Sequence, residues 1–189
     1  MELGLFAVIR ITLFILVSIF LVIFSWRPLH NPRSHGFYRS FAFEGVLILV
    51  LLNIPLWLKN PFSPLQLISW TFLFFSILFV VQGFYLLRKL GGSTGRETGS
   101  ENLPFENTVN LVTDGLYKYI RHPMYSSLLL LAWGAFLKHV TIYAIAAVLI
   151  TTGFLVVTAK IEERENIAFF GSRYREYIKR SKMFIPYLL

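Results

Sequence analysis

Long apolar segments separated by short polar ones limit the folds open to this chain more than any other feature of its sequence. Residues 4–26 are interrupted only by Arg10, and at 1.5 Å per residue they are long enough to cross a hydrocarbon core of about 30 Å. With 56% hydrophobic residues, the chain is too apolar for an ordinary soluble domain. Four further apolar segments follow, at residues 41–58, 65–87, 126–137 and 140–159. The pattern predicts an all-α integral membrane protein with about five transmembrane helices.

Turn and charged residues predict where these helices are interrupted. The connection over residues 27–39 carries arginines, histidines and prolines, and we expect it to be a surface loop. Within the second apolar segment, Pro55 removes a helical hydrogen bond, so the helix should kink or unwind there. The glycine-rich residues 91–99 lack the ending of a phosphate-binding loop and are interpreted as a linker or lid.

The C-terminal half contains a short apolar segment and a long charged one. Residues 126–137 are too few to cross a membrane easily, and we expect them to form a tight hairpin with residues 140–159. From Lys160 onward, apolar residues recur at helical spacing among charged ones. This predicts a C-terminal amphipathic helix against the membrane, ending at Ile185-Pro186.

The distribution of basic residues predicts the orientation in the membrane. The net charge is +8, but the basic residues flank apolar segments, so a nucleic-acid partner is not expected. With the N-terminus outside, fifteen of the 18 lysines and arginines fall on the cytoplasmic side, within residues 27–39, 88–121 and 160–182. This satisfies the positive-inside rule. The first segment is expected to be a retained helix, because acidic Glu2 does not fit a signal peptide.

The cysteine and histidine content excludes several kinds of site. The chain has no cysteine, so disulfides, thiolate metal sites and a cysteine nucleophile are all excluded. Its four histidines show no metal-ligand spacing, and no metal site is expected.

The segment from Leu111 to Ser127 is the one place where turn, charged and aromatic residues cluster directly before an apolar helix. Asp114-Gly115 is a turn dipeptide, and tyrosines then alternate with basic residues as far as Arg121. His122-Pro123 predicts a helix start, because proline fits the first helical position. The pattern is typical of a water–lipid boundary and fits either a cofactor site or a basic juxtamembrane loop with interfacial tyrosines.

This segment resembles the signature of the isoprenylcysteine carboxyl methyltransferase family, integral-membrane enzymes that transfer a methyl group from S-adenosylmethionine. The resemblance covers about 70 residues of the C-terminal half, and no motif is recognised in the first hundred residues. Membrane sterol reductases share the RHP element, whereas the ordered set is specific. The matching residues are Leu111-Val112-Thr113, Gly115, Tyr117, Arg121-His122-Pro123, Tyr125, Glu162-Glu163, Phe169-Phe170-Gly171, Tyr174 and Tyr177.

The resemblance implies S-adenosylmethionine as cofactor and S-adenosylhomocysteine as product. Glu162 is expected to bind the cofactor's ammonium group, and His122 to donate a hydrogen bond to its carboxylate. Tyr117 and Tyr125 are expected on the adenine or near the sulfonium, although tyrosines here also fit an interfacial belt and His122 a helix cap. The cofactor contacts that the family implies are Val109, Asn110, Leu111, Val112, Tyr117, His122, Pro123, Met124, Tyr125 and Glu162.

Glu162 is selected from three nearby glutamates by helical spacing and by its distance from Phe169-Phe170-Gly171. On a helix, Glu162 shares a face with Thr158, Glu165 and Asn166, whereas Glu163 lies on another face. Thr158 stands where eukaryotic members have an arginine with a substrate role. We therefore expect prenylcysteine to be a poor substrate and another lipid-like or lipidated acceptor to be preferred.

These inferences describe a single membrane domain over residues 1–189. Three N-terminal transmembrane helices (1–87) precede a methyltransferase-like catalytic half (88–189). The acceptor is expected to enter from the bilayer, between the third helix and the hairpin, where Gly83 would leave room. No catalytic residue is assigned, because a carboxylate acceptor is already ionised at neutral pH. The alternatives are an NADPH-dependent membrane reductase of the sterol reductase type and a non-enzymatic membrane scaffold.

Overall fold

The computed structural model describes residues 2–92 and 107–187, and within these ranges the protein is helical. Two short 3-10 turns, Ile54–Leu56 and Gly115–Lys118, interrupt the connections between helices. The predicted linker or lid at residues 91–99 lies almost wholly outside the described residues. The helices are α1 (Glu2–Phe24), α2 (Trp26–Leu29), α3 (His35–Asn53), α4 (Pro64–Leu90), α5 (Pro123–Phe136), α6 (Ile142–Phe170) and α7 (Ser172–Arg180).

Four of these helices, α1, α3, α4 and α6, are long and apolar enough to cross a membrane. The fifth predicted crossing corresponds to α5, which has 14 residues. At 1.5 Å per residue it measures about 21 Å, less than the roughly 30 Å of a hydrocarbon core. The all-α membrane fold is therefore confirmed, with four helices of spanning length and one shorter apolar helix.

Side chains from α3 and α4 complete the C-terminal end of α5. The last carbonyls of a helix have no partner within it, and lipid cannot provide one. Here Asn53 Nδ2 donates to the Ala135 carbonyl at 2.8 Å, and Ser69 Oγ donates to the Gly134 carbonyl at 2.7 Å. Gln66 Nε2 donates to the Lys138 carbonyl at 3.0 Å. Helix α5 can therefore end inside the bundle.

The helices pair differently from the predicted hairpin. Helix α5 packs mainly against α4, and α6 packs mainly against α3. Gly134 faces α4, where a Cβ atom would lie 2.9 Å from the Leu73 side chain, and Gly45 of α3 lies against Thr151 of α6. Small residues thus bring each helix close to a partner that is distant in sequence. Helices α5 and α6 are consecutive and in contact, as the predicted hairpin requires, but each packs more extensively against a helix of the N-terminal half.

Two helix boundaries also differ from the predictions. Helix α3 begins at His35, inside the predicted surface loop, and Glu165 of α6 accepts hydrogen bonds from the His35 backbone N–H at 3.2 Å and from Nδ1 at 2.6 Å. Helix α6 continues through the charged residues to Phe170 and stops at Gly171, whose φ of +63° favours glycine. The amphipathic helix is consequently only α7, which ends at Arg180. Near Pro55, α3 ends at Asn53 and gives way to a 3-10 turn, as the proline predicted.

Candidate functional site

The signature segment and the C-terminal segment meet beside the N-terminal end of α5. A single parallel bridge pairs Ile120 with Lys182. The Arg121 N–H donates to the Lys182 carbonyl at 2.8 Å, and the Lys182 N–H donates to the Tyr119 carbonyl at 2.9 Å. The His122 N–H donates to the Met183 carbonyl at 3.2 Å. The chain after α7 thus fixes the backbone of the signature segment.

Arg121 holds three parts of this region together. Its Nε lies 2.5 Å from Glu163 Oε1 on α6, and both side chains are largely buried. Its Nη1 donates to the carbonyls of Ile178 and Ser181, at the end of α7. Charge-assisted hydrogen bonds to a buried guanidinium are among the stronger polar interactions in proteins. Arg121 therefore anchors the C-terminal segment to α6.

Two tyrosines of α7 lie beneath the signature segment. The Tyr177 hydroxyl donates to the Tyr117 carbonyl at 2.5 Å. Burial raises the pKa of the Tyr174 and Tyr177 phenols, and the negative charge of Glu162 raises the pKa of Tyr174 further. Both side chains are therefore neutral hydrogen-bonding groups at physiological pH.

These segments enclose an open cleft of about 620 Å³, counted out to where it meets solvent. Nine of the ten residues predicted to contact a cofactor line it, namely Asn110, Leu111, Val112, Tyr117, His122, Pro123, Met124, Tyr125 and Glu162. The tenth, Val109, lines a neighbouring hollow with Arg173, Glu176 and Arg180. The structure thus brings together the predicted residues from both halves of the signature.

Seven further residues line the cleft and were not predicted from the sequence. Asn166 and Phe170 follow Glu162 at intervals of four, so helical spacing could have identified them. The others come from elements whose proximity depends on tertiary packing. The seven are Leu87, Thr108, Arg121, Asn166, Phe170, Tyr174 and Tyr177.

The three glutamates of α6 have different surroundings. Glu162 lines the cleft, with Oε2 at 3.7 Å from His122 Nδ1. Glu163 lies behind the cleft wall with Arg121, and its Oε1 is 3.5 Å from His122 Nε2. Glu165, which was predicted to share the face of Glu162, turns instead to His35. Of the three, Glu162 alone lines the cleft.

Comparison with known proteins identifies the family. The family model described as phospholipid methyltransferase matches residues 64–173, which is more than half of the chain. The chain belongs to the phospholipid methyltransferase family. The match begins at the first residue of α4 and includes the signature segment, α5 and all of α6. It therefore contains most of the cleft, and it supports the family resemblance recognised in the signature.

Similar curated proteins carry one name. Methanethiol S-methyltransferase 1 of Bradyrhizobium diazoefficiens is 31% identical over 83% of this chain and 56% of its own length. Methanethiol S-methyltransferase of Pseudomonas deceptionensis is 33% identical over 39% of this chain and 27% of its own length. The methanethiol S-methyltransferase of Mycobacterium tuberculosis is 30% identical over 38% of this chain and 29% of its own length. The chain thus spans little more than half of the first relative. No solved structure matches it.

Membership of this family gives no support to the reductase alternative.

Two residues that the sequence associated with the acceptor are Thr158 and Gly83. Thr158 is fully buried, donates to the Phe154 carbonyl at 2.7 Å and does not line the cleft. A Cβ atom on Gly83 would lie 3.2 Å from Met124 Cγ, so α4 and α5 are in close contact at that level. The expectation that Gly83 leaves room for a groove there was wrong.

Proposed function

We propose that this family member is a membrane-embedded S-adenosylmethionine-dependent methyltransferase acting on a small thiol. The observation that carries the proposal is the cleft, where nine residues chosen from the sequence as cofactor contacts converge from the signature segment, α5 and α6. Among the residues that the structure describes, no cluster of three or more histidine or acidic side chains could hold a metal.

The donor groups of the cleft fit S-adenosylmethionine. The Glu162 carboxylate is suited to the cofactor's ammonium group, and the rings of Tyr117 and Tyr125 to its sulfonium or adenine. When bound, this cofactor supplies an activated methyl group. The proposed contact set is the predicted one: Val109, which borders the cleft, with Asn110, Leu111, Val112, Tyr117, His122, Pro123, Met124, Tyr125 and Glu162.

Three observations support a small thiol as acceptor. The relatives are named for methanethiol, a small thiol. Thr158 is buried and lies outside the cleft, so the position associated with prenylcysteine offers no contact. The close contact of Gly83 with Met124 narrows the space between α4 and α5 at that level, which favours a small acceptor. The lipid-like or prenylated acceptor expected from the sequence becomes the competing outcome of the assay.

Cofactor identity is tested by thermal unfolding of the purified protein with S-adenosylhomocysteine or NADPH. A ligand stabilises only a protein that binds it, so we expect stabilisation by S-adenosylhomocysteine alone.

The position of the site is tested by measuring S-adenosylhomocysteine binding to Glu162→Gln by calorimetry. Loss of a charged hydrogen bond costs about 1.5–3 kcal/mol, or about 10- to 150-fold in affinity. Asp114→Asn, which removes an exposed carboxylate outside the cleft lining, is the matched control and should bind normally.

The acceptor is tested by following radiolabelled methyl transfer to four kinds of molecule. These are methanethiol, a farnesylcysteine analogue, a membrane lipid extract and water-soluble carboxylates. We expect methanethiol to be methylated best. Turnover of only the farnesylcysteine analogue or the lipid extract would refute the thiol proposal while leaving methyl transfer intact, and stabilisation by NADPH alone would refute both.

A further inference from the structure

His122 lies between two carboxylates that differ in their surroundings. Its side chain is almost fully buried, and Nε2 has no hydrogen-bond partner among the described residues. The nearest acidic oxygen to Nε2 is Oε1 of Glu163, at 3.5 Å, behind the cleft wall. Nδ1 lies 3.7 Å from Oε2 of Glu162, which lines the cleft. The two ring nitrogens therefore face different environments, and Nδ1 is the one on the side of the cleft.

Glu163 is fixed in place and can orient the imidazole. The Nε of Arg121 lies 2.5 Å from Glu163 Oε1, and the Glu163 side chain is only 14% exposed. The His122 ring is also stacked on Tyr125, with centroids 5.4 Å apart and planes 15° apart. Because Glu162 is assigned to the cofactor's ammonium group, the fixed Glu163 carboxylate beside Nε2 favours the tautomer that carries its proton on Nε2. In that tautomer Nδ1 can accept a proton from a group bound in the cleft. Catalytic hydrogen bonds of this kind often shorten only in the complex with substrate.

A thiol acceptor has to lose its proton before it can accept a methyl group, whereas a carboxylate acceptor is already ionised at neutral pH. The thiolate is the nucleophilic form, and even the cysteine thiol, with a pKa of about 8.5, is only a few per cent ionised at pH 7. A simple alkanethiol lacks the electron-withdrawing groups of cysteine and is less acidic still. Few groups that line the cleft can remove the proton. The Tyr174 and Tyr177 phenols stay protonated, Arg121 is cationic, and Glu162 is assigned to the cofactor's ammonium group.

Resting on the proposed function, we propose that His122 is the catalytic base that ionises the thiol, and that Glu163 is the residue that positions it. The S–H bond breaks, its proton forms an N–H bond with Nδ1, and its electron pair stays on sulfur as the nucleophile for methyl transfer. The imidazolium is stabilised between Glu162 and Glu163 and returns its proton to water after the thioether product leaves. This role replaces the hydrogen-bond donor role that the sequence resemblance implied for His122.

The experiment compares two thiols of different acidity in the full-length protein. Methanethiol needs a base at pH 7, whereas 4-nitrobenzenethiol is already ionised. For His122→Asn we expect turnover of methanethiol to fall by about 10²- to 10⁴-fold, the usual contribution of a general base. Turnover of 4-nitrobenzenethiol should fall far less, and any loss of affinity for S-adenosylhomocysteine should be much smaller than the loss of methanethiol turnover. Glu163→Gln should show the same selectivity with a smaller loss, and His139→Asn, in the turn before α6, should resemble wild type.

The outcomes separate the base from the proposed function. An equal loss with both thiols, or a parallel loss of S-adenosylhomocysteine affinity in His122→Asn, would overturn the base and favour a cofactor-binding role for this residue. If His122→Asn cannot be purified folded, the same comparison in Glu163→Gln decides, and equal losses there overturn the proposal. Failure of the wild-type protein to methylate either thiol would instead overturn the proposed function, and the base with it.

Discussion

At the scale of single residues, the cleft depends on an arginine that also belongs to the recognised signature. Arg121 lines the cleft, yet its hydrogen bonds run away from it, to Glu163 and to the carbonyls of Ile178 and Ser181. A planar guanidinium can serve partners in several directions, whereas an ammonium group is a compact point charge. The signature arginine is therefore better explained as an anchor of the C-terminal segment than as a ligand contact.

Arg121→Lys should destabilise the protein although the charge is kept. Lysine cannot reach the Glu163 carboxylate and the end of α7 together, and loss of a charged hydrogen bond costs about 1.5–3 kcal/mol. The change is measured as the free energy of unfolding in detergent. Arg175→Lys, on the exposed side of α7, is the matched control and should fall within about 0.5 kcal/mol of wild type. Equal stability of the two variants would contradict the anchoring role.

The buried phenols of Tyr174 and Tyr177 predict a loss of stability at alkaline pH. Burial raises the pKa of both groups above the unfolded value of about 10. Above pH 10 the unfolded chain releases protons that the folded protein retains, so the free energy of unfolding falls as pH rises, by up to about 1.4 kcal/mol per pH unit for each phenol. Tyr177→Phe should show a shallower decline between pH 10 and 11.5. An unchanged slope would show that this phenol ionises freely in the folded state.

At the scale of helices, the packing of α5 against α4 positions the N-terminal end of α5 beside the cleft. Gly134 makes this contact possible, because any Cβ there meets Leu73. Gly134→Ala should cost about 1–3 kcal/mol by overpacking. Gly153→Ala is the control: nothing lies within 4 Å of its Cβ, so it should be neutral or slightly stabilising. Unfolding in detergent measures both, and a neutral Gly134→Ala would show that α4 and α5 are looser than the structure indicates.

Hydrophobic periodicity and turn residues predicted where most of the helices lie in the sequence, but not which helices pack against one another. The sequence identified four helices of spanning length from local hydropathy, and it selected Glu162, which lines the cleft. Of the residues assigned to the same helix face, Asn166 lines the cleft, whereas Thr158 and Glu165 do not. It missed the start of α3, where Ser34 is a local N-cap that accepts a hydrogen bond from the Phe37 N–H. It missed the contact of His35 with Glu165 because the two residues are 130 positions apart. The bridge between Ile120 and Lys182 was missed for the same reason. Such pairings depend on tertiary packing, which one sequence does not encode in any local pattern.

At the scale of the whole molecule, the cleft and the connection between α3 and α4 lie at opposite ends of the bundle. Helix α3 starts beside Glu165, near the cleft, and ends at Asn53, beside the C-terminal end of α5. Among the described residues, the basic ones concentrate at the end that holds the cleft, within residues 27–39, 88–89, 118–121 and 160–182. By the positive-inside rule, this end should face the cytoplasm and the N-terminus should lie on the opposite side. A soluble cofactor could then reach the cleft directly.

Cysteine labelling tests this orientation without removing native thiols, because the chain has no cysteine. Lys59→Cys and His139→Cys place exposed thiols at the distal end, and Asp114→Cys and Glu176→Cys place them beside the cleft. In intact cells, a membrane-impermeant maleimide should label only the distal pair, and permeabilisation should add the other two. Each site is a single exposed substitution outside the core, so all four variants should fold. Labelling of Asp114→Cys and Glu176→Cys from outside would invert the orientation, and labelling of one but not the other would contradict the packing of the signature segment against α7.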